Sequence, residues 1–146
     1  ISRFVLREAK TLVSIGKFEK IDLNKDNFPY PKHFFDIVVA FDVLEHIENT
    51  DRVLKNVIRV LNPGGIFYVI TPNGFQPADK DVTHINIKTF SEWLNYISNN
   101  GFKVLDSFTY IWYPPSPYNF LNIVKHCYYR LRGYGINQVV RIFSKI

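Results

Sequence analysis

The 146-residue chain has no methionine, a single cysteine, and no acidic residue after Asp106. A lone thiol, Cys127, forms no intrachain disulfide, which argues against a disulfide-stapled secreted domain and for a reducing, cytoplasmic setting. No apolar run approaches the roughly 18 residues that a membrane-spanning helix needs. Neither Gly-x-Gly-x-x-Gly nor a P-loop occurs, so these residues lack a complete phosphate-gripping loop, and no Gly-x-Ser-x-Gly elbow presents a serine nucleophile. The opening Ile1-Ser2-Arg3-Phe4 resembles neither a signal peptide nor a transit peptide. With the missing methionine, it leads us to expect that this chain is a piece of something longer. What remains is 47% hydrophobic, 16% aromatic and 21% charged with a net charge of +5. That composition suits one folded domain and excludes a disordered chain.

Along the chain, Val5, Leu6, Ala9, Leu12 and Val13 recur at helical spacing, predicting an amphipathic helix from Ser2 to Ile15 that ends at Gly16. Residues 17–22 alternate as a short strand does, and Pro29 and Pro31 then enforce a loop. The run Phe35–Phe41 is almost wholly apolar and β-branched, as expected of a strand covered on both faces. A second amphipathic helix is predicted over 51–61, stopped by Asn62-Pro63-Gly64-Gly65, with a strand over 66–71. Thr89 and Glu92 form a capping-box pair that opens a helix ended by Gly101, and residues 102–109 alternate again. This succession predicts an α/β layer structure with a mostly parallel sheet and flanking helices.

In open α/β sheets ligands sit beyond the carboxyl ends of the strands. Three strand ends here carry polar groups: Asp22-Leu23-Asn24, Asp42 with Glu45 and His46, and Thr71-Pro72-Asn73. Asp22 and Asp42 either face a ligand or cap the turns that follow them. Glu45-His46 with Asp42, His33 or His84 invites a metal reading, but the HExxH spacing and clustered cysteines are missing, so no metal is expected.

The run FDIVVAFDVLEHIENTDRVLKNVIRVLNPGGIFYVITPN resembles the central stretch of class I S-adenosylmethionine-dependent methyltransferases of the small-molecule type. There a strand ends in Asp-Val-Leu-Glu-His, and the next follows a Leu-x-Pro-Gly-Gly turn. The resemblance extends upstream through KFEKIDLNKDNFPYPKHFFD and downstream through HINIKTFSEWLNYISNNGFKVLDSF, from residue 1 to about Tyr110. It implies a partial Rossmann-like methyltransferase fold. On this alignment the family's first two strands, its glycine-rich loop and its ribose-binding carboxylate are missing. The family's sheet order, 3-2-1-4-5-7-6, would place those missing strands between residues 17–22 and Phe35–Phe41.

By the same resemblance Asp22 accepts a hydrogen bond from the adenine amino group of S-adenosyl-L-methionine, while the Leu23 backbone donates and its side chain packs nearby. Phe41 and Asp42 border the methionine portion, while Val43 and His46 lie where family members contact cofactor or acceptor. For an acceptor that must lose a proton, His46 and His84 are the candidate general bases, and each is otherwise a residue that orders its loop. The acceptor is expected to be a small molecule or a lipid-linked compound.

Residues 111–146 join Lys125, Arg130, Arg132, Arg141 and Lys145 to many aromatic residues. We expect a basic aromatic helical tail of two short helices, set apart from a methyltransferase part at 1–110. Such a tail is a solvated helix pair, a peripheral membrane contact or, without any motif to support it, a nucleic-acid contact. The expected function is therefore that of a class I methyltransferase whose isolated carboxyl-terminal part is inactive. The alternative is a noncatalytic module that binds a membrane or a protein partner through the tail.

An interrupted sheet predicts poor autonomous stability and aggregation of the isolated 146-residue chain. Its thermal unfolding, followed by circular dichroism, should be broad and accompanied by scattering; a single sharp cooperative transition would count against this reading.

Overall fold

The computed structural model describes residues 3–13, 15–74, 81–111 and 137–145. Three helices, α1 (Arg3–Leu12), α2 (Thr50–Val60) and α3 (Phe90–Asn99), accompany four strands, β1 (Phe35–Phe41), β2 (Leu61–Pro72), β3 (Phe102–Ile111) and β4 (Asn137–Lys145). The strands form one sheet in the order β1-β2-β4-β3. β1 and β2 pair in parallel, whereas β4 runs antiparallel to both β2 and β3. Three strands therefore point one way, with the reversed β4 inserted between two of them.

Local chemistry accounts for the element ends. The Asn49 side chain caps α2 by accepting from the Arg52 amide at 3.1 Å. Thr89 and Glu92 complete the anticipated capping box at the start of α3. α2 runs directly into β2, and Asn62-Pro63-Gly64-Gly65 forms an irregularity within the strand, between the pairs Phe35/Leu61 and Ile37/Ile66. Gly64 takes a left-handed φ of 75° there. A Cβ on Gly65 would lie 2.9 Å from the Asn62 carbonyl and 3.1 Å from that of Asp36, so the close approach of β1 requires glycine.

The core lies on one face of the sheet. Phe67 and Val69 of β2 point into it and meet Val53, Leu54 and Val57 of α2 and Trp93 and Ile97 of α3. Phe67 and Phe102 pack ring against ring at 5.4 Å. On the opposite face β1 is largely exposed. Ile37, Val39 and Phe41 pair with Ile66, Tyr68 and Ile70, and on β1 these side chains are 59%, 57% and 53% exposed. β1 was expected to be covered on both faces; one of its faces is exposed, and it forms one edge of the sheet.

Two further expectations are corrected and one holds. Residues 17–22 make no strand ladder, because a strand needs a neighbour and none of the described strands pairs with them. α1 forms with its amphipathic pattern, and none of its residues is buried. The helical tail does not hold over 137–145. That segment is β4, which satisfies its backbone groups against β2 and β3 and belongs to the α/β layer. The rest of the expected tail, from residue 112 to 136 and including Cys127, lies outside the described residues.

An open edge bearing large apolar side chains invites association. Ile37→Lys combined with Val39→Lys should lower light scattering by the isolated chain at micromolar concentration. Equal or greater scattering would show that association proceeds through another surface.

Candidate functional site

The end of β1 is sharply defined. The Asp42 amide donates to the Ile70 carbonyl at 2.9 Å, and Asp42 then takes a φ of 50°, a left-handed conformation uncommon for a residue with a side chain. This turns the chain inward through Val43 into a single 3-10 turn, Leu44–His46, that buries both Leu44 and Glu45.

The loop after residues 17–22 is folded upon itself. Asp22 accepts from the Asn24 amide at 3.1 Å through its carboxylate, and its amide donates to the Asp26 carboxylate at 2.9 Å. The Asn24 side-chain oxygen accepts from the amides of Glu48 at 3.1 Å and Asn49 at 3.2 Å, pinning this loop to the start of α2. Further along, Arg59 of α2 donates to the carbonyls of Phe28 at 2.7 Å and Tyr30 at 2.5 Å, which holds the proline-containing loop. Asp22, Leu23, Asp42, Val43 and His46 thereby line one cleft of about 490 Å³.

Phe41 is not part of this lining. Its ring lies on the open sheet face against Tyr68, at 5.7 Å. The third strand end turns inward: Thr71 donates to the Glu45 carboxylate at 3.2 Å, and the Asn73 side chain accepts from the Phe90 amide at 3.1 Å. Both residues are buried and join elements together. His33 bonds the Leu61 carbonyl at 3.1 Å, beside the start of β1, and so is far along the strand from its carboxyl end.

His84 does belong here, since its ring stands 4.8 Å from that of His46. The His46 Nδ1 lies 3.0 Å from the Thr83 carbonyl oxygen. A carbonyl only accepts, so Nδ1 carries a proton, and in the neutral ring the lone pair then lies on Nε2. Thr83 donates in turn to the Asp81 carboxylate at 2.6 Å from its hydroxyl and 2.9 Å from its amide, and these bonds hold that carboxyl below its usual range. Asp81 also faces the His84 Nε2 at 3.6 Å. Asn86 fastens the segment to the 3-10 turn: its amide donates to the Glu45 carbonyl, and its side chain donates to the carbonyls of Leu44 and Ile47 and to Thr50. No spacing rule would have singled out Asn24 or Asn86.

Glu45 is 1% exposed, and its Oε1 has no hydrogen-bond partner among the described residues. Burial, reinforced by the charge of Asp42, raises its carboxyl above the ordinary 4.5.

A methyltransferase-domain family model matches residues 6–122. Over 100 residues the chain is 31% identical to a probable S-adenosylmethionine-dependent methyltransferase of Mycolicibacterium smegmatis, covering 63% of this chain and 39% of that protein. Over 99 residues it is 24% identical to a ubiquinone/menaquinone biosynthesis C-methyltransferase of Vibrio vulnificus, covering 66% of this chain and 36% of that one. A solved S-adenosylmethionine-dependent methyltransferase from Mesorhizobium loti shares the fold with a TM-score of 0.69 at 16% identity, over 99% of this chain and 77% of that chain. The chain thus spans about two fifths of the length of the curated relatives it matches.

Because folding raises the pKa of Glu45, the folded state favours its protonated form. The associated stability is fully present below the unfolded value and is lost as pH rises through the folded one. In metal-free denaturant titrations, wild type should lose stability relative to Glu45→Gln as pH climbs from about 4.5 toward neutrality. A pH-independent difference would show that Glu45 does not titrate over this interval.

Proposed function

The chain belongs to the methyltransferase-domain family, and from that premise we propose that its parent protein transfers a methyl group from S-adenosyl-L-methionine to an acceptor bound beside His46. The observation that carries this reading is the cleft in which two separate segments bring together Asp22, Leu23, Asp42, Val43 and His46. A carboxylate beside an apolar side chain suits a purine that offers an amino donor and a flat face, so Asp22 and Leu23 would hold the adenine. Asp42 and Val43 would border the amino-acid portion, with Phe41 contributing its main chain at the strand end.

The cofactor supplies an electrophilic methyl group on sulfur. The protein's task is to align the acceptor in line with the breaking carbon–sulfur bond and to hold the reactants in contact, with no covalent enzyme intermediate. Where the acceptor atom bears a proton, the lone pair on His46 Nε2 takes it, in keeping with the tautomer that the Thr83 carbonyl imposes.

The acceptor in this reading is a small molecule or a lipid-linked compound. Support for the lipid-linked case comes from relatives named for ubiquinone and menaquinone biosynthesis. None of the described helices is long and apolar enough to cross a membrane. The open edge of β1 and the apolar face formed by Ile37, Val39 and Phe41 support a parent protein with further strands at this edge, and with them the remaining cofactor contacts.

Calorimetric titration with S-adenosylhomocysteine tests the reading on the 146-residue chain and on the full-length protein in parallel. The full-length protein should bind, the isolated chain should not, and Asp22→Ala should weaken binding about tenfold, on the scale of one charge-assisted hydrogen bond. Absence of binding by both would overturn the cofactor assignment and favour a noncatalytic module.

A further inference from the structure

From the geometry around the 3-10 turn we infer that Glu45, His46 and His84 form a binding site for a divalent transition-metal ion of the zinc type. Their ligand atoms all lie within 4.8 Å of one another. Two donors on one metal with bonds of about 2.0–2.2 Å are separated by roughly 3–4 Å, so rotation of these side chains by about 1 Å closes the set.

The buried carboxylate supplies the independent argument. Glu45 is 1% exposed, and its Oε2 accepts from Thr71 while Oε1 has no partner among the described residues. Among the described residues an ionised Oε1 lacks a donor and a protonated one lacks an acceptor, and a proton on Oε2 still leaves Oε1 bare. A cation shared with the two imidazoles satisfies that oxygen and neutralises the buried charge.

The surroundings also suit a metal. His46 donates Nδ1–H to the Thr83 carbonyl, the outer contact that orients a metal-bound imidazole and leaves Nε2 as the donor. Asp81 stands beside His84 at 3.6 Å and adds a compensating charge. Two imidazoles and one carboxylate favour zinc, manganese or iron over magnesium, which prefers oxygen ligands alone. Three protein ligands leave coordination positions free, as in catalytic rather than structural sites. His46 also lines the cleft, so the ion would lie at its wall. Ion and proton compete for the same Nε2 lone pair, so metal binding and the general-base role of His46 exclude one another.

Zinc titration of the full-length protein, read by calorimetry and by the shift in melting temperature, tests the site independently of S-adenosylhomocysteine binding. One ion per chain is expected, with affinity reduced on the order of 100-fold in both Glu45→Gln and His84→Ala. Gln preserves the size of Glu45, and His84→Asn replaces His84→Ala if circular dichroism shows the latter to be unfolded. Cys127→Ser should leave zinc uptake unchanged. No saturable uptake, or uptake lost in Cys127→Ser yet retained by both ligand variants, overturns the proposal. Zinc binding without S-adenosylhomocysteine binding leaves the site standing and removes the methyl-transfer reading; the converse does the opposite.

Discussion

Burial of one face of β2 is the constraint on which the other placements depend. Phe67 and Val69 project to the same side, where α2 and α3 cover them together with Leu44, Ile47 and Phe102. Because α2 passes into β2 without a loop, its position is tied to the strand it covers. Fully burying side chains of this size stabilises by about 1.5–3 kcal/mol each, which exceeds what a typical hydrogen bond between neutral groups contributes. The polar clamps therefore refine a geometry that apolar packing has already set.

Those clamps share a design. Asn24 and Asn86 come from irregular segments on either side of the 3-10 turn, and each bonds main-chain groups on or beside it. Asp42 bends the chain into this turn, so the residues bordering the cleft hang from a short piece of backbone held by long-range hydrogen bonds. Position is thereby transmitted through main-chain amides and carbonyls, whose geometry is narrower than that of flexible side chains. Glu45 is the exception, a titratable group buried at the centre of this arrangement.

Much of the layer structure was legible in local pattern. The apolar run 35–41, the periodicity of α2 and the capping box of α3 each depend on neighbours a few residues away. β4 was not legible, because its pairing joins residues 137–145 to partners roughly seventy residues earlier in β2, and no local signal separates a short helix from such a strand. Hydrophobic pattern also records what favours burial and not what covers it, so the open face of β1 could not be read from Ile37, Val39 and Phe41. At the site, strand-end polarity pointed to Asp22, Asp42 and His46. The inward turn of Thr71 and Asn73, the removal of Phe41 from the cleft and the approach of His84 emerge only in three dimensions.

The insertion of β4 bears on how the sheet assembles during synthesis. β1, α2 and β2 emerge from the ribosome in order and can dock at once, and α3 and β3 follow. Among the described strands β3 pairs only with β4, so its ladder cannot close before residues 137–145 are made, and until then its amides and carbonyls are left to water. The strand that separates β2 from β3 is thus also the last to appear among the four. Ribosomal pausing before residue 137 would prolong a half-built sheet, whereas rapid completion of that stretch closes two ladders in a single event.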